Sequence, residues 1–368
     1  MIIMANAQHQ AKQPIVMGPE ALNEEPFVSR RLDYLKNYGW ENATLETLPA
    51  HASARRYYRV HNGEKPALLM DATLDTTEPL MWYVTVDQHL RKIGLTAPEI
   101  FDYDITDDWS FALIEDFGDE PYDALVDQGE NPLPLYEKAI DVLAYMHNHD
   151  ETTNVDVSSY PLERMLMEAS NTIHWYVPAA RGSAVSEEAF AEYRRIWTDI
   201  LSNMPPIKDS LIMYDYIFNN MMRVSGQEGI QDCGLLDFQA ARIGPAIYDV
   251  VSLLEDIRRD LDPSDFTALR KRYLDQVQIT ETEEDFDTWF AVMTTQRHCK
   301  NLGNLVRLFV RDGKPDLLQY IPRMRTFTWT HLQKPVFAEL KDWFEKNDID
   351  LTKDLQEGFE HANGYPEQ

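Results

Sequence analysis

Cysteine is nearly absent. The 368 residues contain only Cys233 and Cys299, and neither lies in a CxxC pair or a Cys/His cluster. No zinc site is therefore expected, and a reducing cytosol suits the chain. Basic residues are also scarce, with 34 Lys and Arg against 62 Asp and Glu, a net charge of −28. Such a surface repels phosphate backbones and anionic lipid at long range, which argues against nucleic acid and membrane surfaces as partners. It would suit a cationic substrate, although solubility alone accounts for it. No uninterrupted apolar run reaches the roughly eighteen residues of a membrane helix. The opening stretch MIIMANAQHQAKQP lacks the basic start and apolar core of a secretory signal, so a cytoplasmic location is expected. Neither an internal repeat nor a low-complexity stretch is found.

What is present is a composition for a packed core. Hydrophobic residues make up 44% of the chain, with eight Trp and eighteen Tyr. The length allows two lobes. Residues 1–25 read as a loose tail. From Glu25, EPFVSRRLDYLKNYGW has helical spacing and stops at Gly39. ATLETLP, YYRVHN and ALLMDAT then read as three strands joined by short turns. A helix over 78–94 follows, and APEIFDYDIT and WSFALIEDFG supply two more strands. After Gly118 the pattern turns helical, over 134–149, 161–180, 187–204, 247–261, 265–277, 284–312 and 314–344, interrupted by short strand-like runs such as SLIMYD and GLLDFQ. The expected class is α+β: a β-rich N-terminal lobe over 26–117 and a larger, mainly helical lobe over 118–368.

One stretch carries chemistry. Residues 213–222 read MYDYIFNNMM, with Asp215 and Asn220 five apart. Seventeen residues after Asn220, a short apolar run delivers Asp237 and Phe238 in CGLLDFQAARIGP. The spacing resembles the catalytic loop H-R-D-x-x-x-x-N and the D-F-G segment of protein kinases, where the first Asp handles the proton of the attacking hydroxyl and the Asn and second Asp hold magnesium. A strand–loop–strand hairpin between Asn220 and Asp237 would bring both to one side. Three kinase features are missing. Met213 stands where the loop histidine is expected. The turn AHASAR has no glycine to let backbone approach phosphate. Met70 occupies the position of the third-strand lysine.

The resemblance extends further. GPAIYDVVSLLEDIRRDL, LPAHASARRYYRV, ERMLMEASNTIHWYVP and above all TTQRHCKNLGNLVRLFVRDGKPDLLQYIPR are similar to segments of the bacterial cell-wall amino-sugar kinases of the aminoglycoside-phosphotransferase (APH) superfamily. Similarity covers about residues 27–345. It implies a bilobal, protein-kinase-like fold and an ATP- and magnesium-dependent kinase. The acceptor would be the anomeric hydroxyl of N-acetylmuramate or N-acetylglucosamine, in peptidoglycan recycling. By the same resemblance Asp215 is catalytic, and Asn220 and Asp237 bind the metal. Ser53, Arg55, Arg56, Glu115 and Phe117 would contact ATP, the two arginines replacing the missing lysine. Glu168, Trp175, Tyr176 and Arg297 would bind the acceptor, and Asp249 would support the loop. With Met213 in place of histidine, a loop held more by packing than by polar bracing is expected. A monomer is expected, with ATP and a small sugar as its partners. An aminoglycoside, choline or other small-alcohol kinase, and a weakly active or non-catalytic nucleotide-binding relative, remain alternatives on the same fold.

Overall fold

The structure, a computed structural model, describes residues 27–49, 54–62, 65–278, 281–353 and 355. They form two compact units. One comprises the chain up to Leu80 together with Glu99–Asp116; the other comprises Met81–Pro98 and the chain from Phe117 onward.

The first unit is a five-stranded antiparallel sheet backed by helix α1 (Phe27–Asn37), which ends before Gly39 at φ +97°. The strands are β1 (Thr44–Thr47), β2 (Arg56–His61), β3 (Ala67–Asp71), β4 (Ile100–Ile105) and β5 (Ser110–Glu115), in the order β1-β2-β3-β5-β4. All five expected strands form. Alternate residues face opposite sides of a sheet. Tyr58, Val60, Ala67, Leu69, Phe111 and Leu113 pack with Tyr34, Leu35 and Trp40 of the α1 region into one hydrophobic core. Tyr57, Arg59, Leu68, Met70, Ala112 and Ile114 occupy the alternate positions and so the opposite face.

Helix α2 (Leu80–Lys92) lies between β3 and β4 in sequence, yet from Met81 it packs with the second unit. Tyr83 stacks on Phe238 at 4.8 Å between ring centroids, and the Thr96 carbonyl accepts the Leu235 N–H at 2.8 Å. The rest of this unit contains α3 (Tyr122–Asp127), α4 (Leu133–Asn148), α5 (Leu162–Ala169), a π-helical turn (Thr172–Tyr176), α6 (Val177–Arg181) and α7 (Glu187–Ser202). It continues with α8 (Ile247–Leu254), α9 (Pro263–Gln276), α10 (Glu283–Asp312), α11 (Ile321–His331) and α12 (Ala338–Lys346). Two antiparallel strand pairs accompany them. Strand β6 (Asp209–Ile212) pairs with β9 (Arg242–Pro245), and β7 (Met221–Arg223) with β8 (Cys233–Leu235). The single helix expected over 314–344 is broken into a 3-10 turn (Pro315–Tyr320), α11, a second 3-10 turn (Pro335–Phe337) and α12. Pro322 and Pro335 cannot donate a backbone bond, so each marks the start of a new element.

Helix α10 is the spine of the second unit. The capping box between Thr282 and Asp285 starts it, and Gly313, at φ +64°, ends it. Most of its residues between Phe286 and Val306 are buried. It meets the π-helical turn so closely that a Cβ on Gly303 would lie 2.1 Å from the Asn171 carbonyl oxygen. Backbone cannot yield there as a flexible side chain could. Gly303→Ala is expected to destabilise the protein by roughly 1–3 kcal/mol through overpacking, read as a lowered midpoint in urea melts.

Acid should also weaken the fold. His147 on α4 is wholly buried, its Nδ1 2.7 Å from the Tyr273 hydroxyl, and burial pushes its pKa down to about 3. The unfolded chain takes up that proton below about 6.5, whereas the native state does not. The contribution is therefore complete above pH 6.5 and is lost as pH falls towards 3. At pH 5 His147 alone removes about 2 kcal/mol. Urea melts between pH 7 and 5 check this, and His147→Gln should flatten the slope.

Candidate active site

Strand β6 ends at Ile212, and the chain turns through residues 213–217 into the 3-10 turn Phe218–Asn220 before β7 begins. Asp215 lies on that turn with its side chain 47% exposed, so its carboxylate opens to the surface and not into the core. Its neighbour Tyr214 adopts φ +72°, a conformation that a residue with a Cβ holds only under restraint. The restraint is visible. Asp249, wholly buried on α8, accepts the Met213 N–H at 2.5 Å through Oδ2 and the Tyr214 N–H at 3.1 Å through Oδ1. Arg297 on α10 donates from Nη1 to the Tyr214 carbonyl at 2.8 Å and from Nη2 to Asp215 Oδ1 at 3.1 Å. The expectation of a loop held mainly by packing is thus corrected. Met213 is buried and gives no side-chain bond of the kind a histidine would, but Asp249 and Arg297 grip the backbone instead. The protein packed around Asp215 excludes enough water to work against its ionisation even with the side chain half exposed, yet facing Arg297 and Lys300 the carboxyl stays below its ordinary value. Burial pushes the Asp249 carboxyl up to about 7, against the pull of its N–H donors and Arg297.

The β7–β8 hairpin sets Asn220 beside Asp237. Met221 pairs with Leu235, and the Leu236 N–H donates to the Asn220 carbonyl at 2.9 Å. Asp237 takes φ +56°, a second restrained non-glycine position. Its Oδ1 accepts from Gln239 Nε2 at 2.9 Å, so the glutamine found where protein kinases have glycine fixes this carboxylate. Asn220 Nδ2 donates to the Asp215 carbonyl at 3.0 Å and lies 3.4 Å from Asp237 Oδ2. That donor assignment leaves the Asn220 amide oxygen as an acceptor alongside the Asp237 carboxylate. Both are hard oxygen donors of the kind magnesium selects. Among the described residues no group of three or more His, Cys, Asp and Glu comes together as a metal site. A cation here would complete its shell with water and phosphate oxygens, as magnesium does.

The residues expected around the acceptor fare differently. Glu168 is buried on α5 and its oxygens are already occupied. Oε2 accepts from the Tyr160 hydroxyl at 2.7 Å, and Oε1 accepts from Arg164 Nε at 2.5 Å and from the Tyr214 hydroxyl. Burial works to raise its pKa, but Lys300 and these donors hold it below the ordinary range. Glu168 is therefore a clamp on Tyr214, with little acceptor capacity left for a sugar hydroxyl. Tyr176 is wholly buried in the π-helical turn and is a core residue; Trp175 beside it is half-buried. Arg297, 6% exposed, spends its guanidinium on Tyr214, Asp215 and the Tyr248 hydroxyl, so it braces the loop.

The expected ATP residues divide as well. Ser53 lies outside the described residues, as do Ala50 and His51. Arg55 is buried, donating to Asp75 Oδ2 at 2.9 Å and to the Glu78 carbonyl at 2.7 Å. Arg56 pairs across the sheet with Asp71 and lies on the α1 side, opposite Met70, with Nη1 donating to the Arg55 carbonyl at 2.7 Å. Both arginines are thus turned to structural partners, which corrects their assignment to phosphate. The cation on the Met70 face of β2 is Arg59, bidentate to Asp116 at 2.6 and 3.3 Å. The Glu115 N–H donates to the Glu99 carbonyl at 2.8 Å. Phe117 belongs to the second unit, and its ring lies so close to Gly234 that a Cβ there would stand 2.6 Å from Cε2.

The model of the phosphotransferase enzyme family, APH, matches residues 44–286, well over half of the chain and every element of the loop and hairpin described above. The chain belongs to this family. It is an enzyme that transfers a phosphoryl group. The expected resemblance to amino-sugar kinases is borne out. The N-acetylmuramate/N-acetylglucosamine kinase of Caulobacter vibrioides is 28% identical over 346 residues, covering 85% of this chain and 94% of that protein. The enzyme of the same description from Pseudomonas aeruginosa is 29% identical over 311 residues, covering 82% and 89%. Among solved structures, the GDP complex of wild-type aminoglycoside 2'-phosphotransferase-IIIa matches with a TM-score of 0.58 at 12% identity, covering 83% of this chain and 99% of that one. At that identity the likeness supports the fold alone.

This phosphotransferase also holds groups that sequence reasoning passed over. Lys300, Tyr248, Tyr214 and Tyr160 are these, and they join Gln296, Arg297 and Glu168 in one network. A signal was present: Arg297 and Lys300 are three apart on one helix, which places two cations on the same face.

Proposed function

We propose that the chain is an ATP- and magnesium-dependent kinase that phosphorylates the anomeric hydroxyl of an amino sugar, N-acetylmuramate or N-acetylglucosamine, in peptidoglycan recycling. The observation that carries this reading is the convergence of Asp215, Asn220 and Asp237 on one small open loop-and-hairpin surface, in a chain similar over most of its length to kinases of that description. Asp215, kept ionised by Arg297 and Lys300, accepts the hydroxyl proton and aims the sugar oxygen at the phosphorus. Asn220 and Asp237 would hold magnesium, which when bound neutralises charge developing on the transferred phosphoryl group. Arg297 and Asp249 contribute by keeping the loop rigid, since catalysis of this kind rests on positioning.

The reducing-compartment composition agrees with a cytoplasmic setting, and no helix among the described residues is long and apolar enough to cross a membrane. The test is incubation with ATP, magnesium and a panel of N-acetylmuramate, N-acetylglucosamine, kanamycin and choline, with ADP release as the readout. Turnover of an amino sugar, with the phosphate found on the anomeric carbon by NMR, supports the reading. Turnover confined to kanamycin or choline sinks it. ATP-induced thermal stabilisation without any turnover favours a non-catalytic relative.

A further inference from the structure

We infer that Lys300 is a positioning residue for Asp215, acting through Tyr214, whose hydroxyl is held in turn by Glu168. Lys300 lies one helical turn after Arg297 on α10 and is 4% exposed. Its ammonium donates to the Tyr248 hydroxyl at 2.8 Å and sits 3.8 Å from the centroid of the Tyr214 ring. Tyr214 and Tyr248 stack nearly parallel, 7° apart in tilt and 5.4 Å between centroids. The Tyr214 hydroxyl donates to Glu168, which Tyr160 and Arg164 also grip. Arg297 shares the Tyr248 hydroxyl at 3.2 Å and reaches Asp215 itself.

Each end of Tyr214 is therefore tied: its N–H to Asp249, its carbonyl to Arg297, its ring to Lys300 and its hydroxyl to Glu168. This is the residue at φ +72° that immediately precedes the proposed catalytic carboxylate. A restrained backbone angle persists only where surrounding bonds over-determine it. Lys300 supplies the cation–π contact that fixes the ring, and a ring fixed in place fixes the backbone that carries Asp215. A phosphate-binding role does not suit Lys300, because its ammonium is enclosed and engaged. Plain packing does not account for it either, since a buried charge is expensive and a methionine would fill the same space. Burial works to lower its pKa, yet Tyr214, Tyr248 and Glu168 around it keep it charged.

The inference rests on the kinase reading above. Wild-type turnover tests that reading first. Should no amino sugar be phosphorylated, the same variants are compared by their transfer of the ATP phosphoryl group to water, giving ADP and phosphate, so the two failures stay distinct. In the full-length chain, Lys300→Met is expected to lower kcat about 100-fold with the KM for ATP changed less than about threefold, the signature of a misplaced reacting group. Lys300→Arg, which keeps a cation beside the ring, should recover turnover to within about tenfold of wild type. The double variant Lys300→Met/Glu168→Gln removes both charges. It should regain the melting temperature lost in Lys300→Met while kcat stays low. Recovery of kcat together with melting temperature would show that Lys300 only balances Glu168, and would overturn the inference. Wild-type kcat in a folded Lys300→Met would do the same. If Lys300→Met does not fold, the arginine and double variants decide the matter by the same criteria.

Discussion

Asp215→Asn is expected to reduce kcat by about 10³-fold while leaving ATP binding within about threefold of wild type. The substitution removes the proton acceptor and keeps the shape. Asparagine retains an oxygen that can accept from Arg297 Nη2, now 3.1 Å from Asp215 Oδ1. The backbone bonds of Asp249 and Arg297 to residues 213 and 214 do not involve this side chain. Asp215 is also about half exposed, so neither a cavity nor an orphaned buried group is created. The melting temperature should therefore shift by no more than a few degrees, and the loss should fall on the chemical step. ADP release measured at saturating sugar gives kcat, and ATP-induced thermal stabilisation reports nucleotide binding. Residual turnover above about a tenth of wild type would show that positioning and metal charge suffice, and that Asp215 is not the base.

The fold was legible because its signals are local. Period-two runs bounded by Gly, Pro and Asn gave the five strands of the first sheet, and long amphipathic runs gave most helices of the second unit. The loop and hairpin were legible for a different reason. Asp215, Asn220 and Asp237 are placed by spacing along the chain, and a short antiparallel hairpin allows one registration. Misplaced residues were those whose role depends on packing against distant elements. Arg56 looks available in a polar turn, but strand parity puts it with Asp71 on the α1 side. Glu168 reads as an acceptor-binding acid on a helix, yet it is buried among Tyr160 and Arg164 of its own segment and Tyr214, which lies 46 residues away in the chain. Arg297 stands out in the sequence only within the run similar to the amino-sugar kinases; that it braces the residue before Asp215 depends on α10 meeting the chain just after β6, 83 residues earlier, which no local pattern encodes.

Asp249→Ala is expected to be the most damaging substitution for stability near the site, lowering it by roughly 3–5 kcal/mol and kcat by at least about 100-fold. The N–H groups of buried Met213 and half-buried Tyr214 lose the carboxylate oxygens that accept them, and each orphaned buried donor costs about 1–3 kcal/mol. The cost cannot be relieved by letting the loop drift, because Tyr214 at φ +72° stays fixed at its carbonyl by Arg297 and at its hydroxyl by Glu168. Arg297 would also lose one of the negative groups facing it. Met213 adds to the weight on Asp249: with no histidine at that position, polar bracing of the loop is shared between the two backbone N–H bonds to Asp249 and the carbonyl bond from Arg297. Asp249→Asn keeps one oxygen acceptor but turns an NH2 group towards the second N–H, so it should lie between alanine and wild type in both readouts. Urea melts give the stabilities and ADP release the turnover. A loop held by packing alone would tolerate Asp249→Ala with less than about 1 kcal/mol lost, and that result would refute the bracing assigned to Asp249.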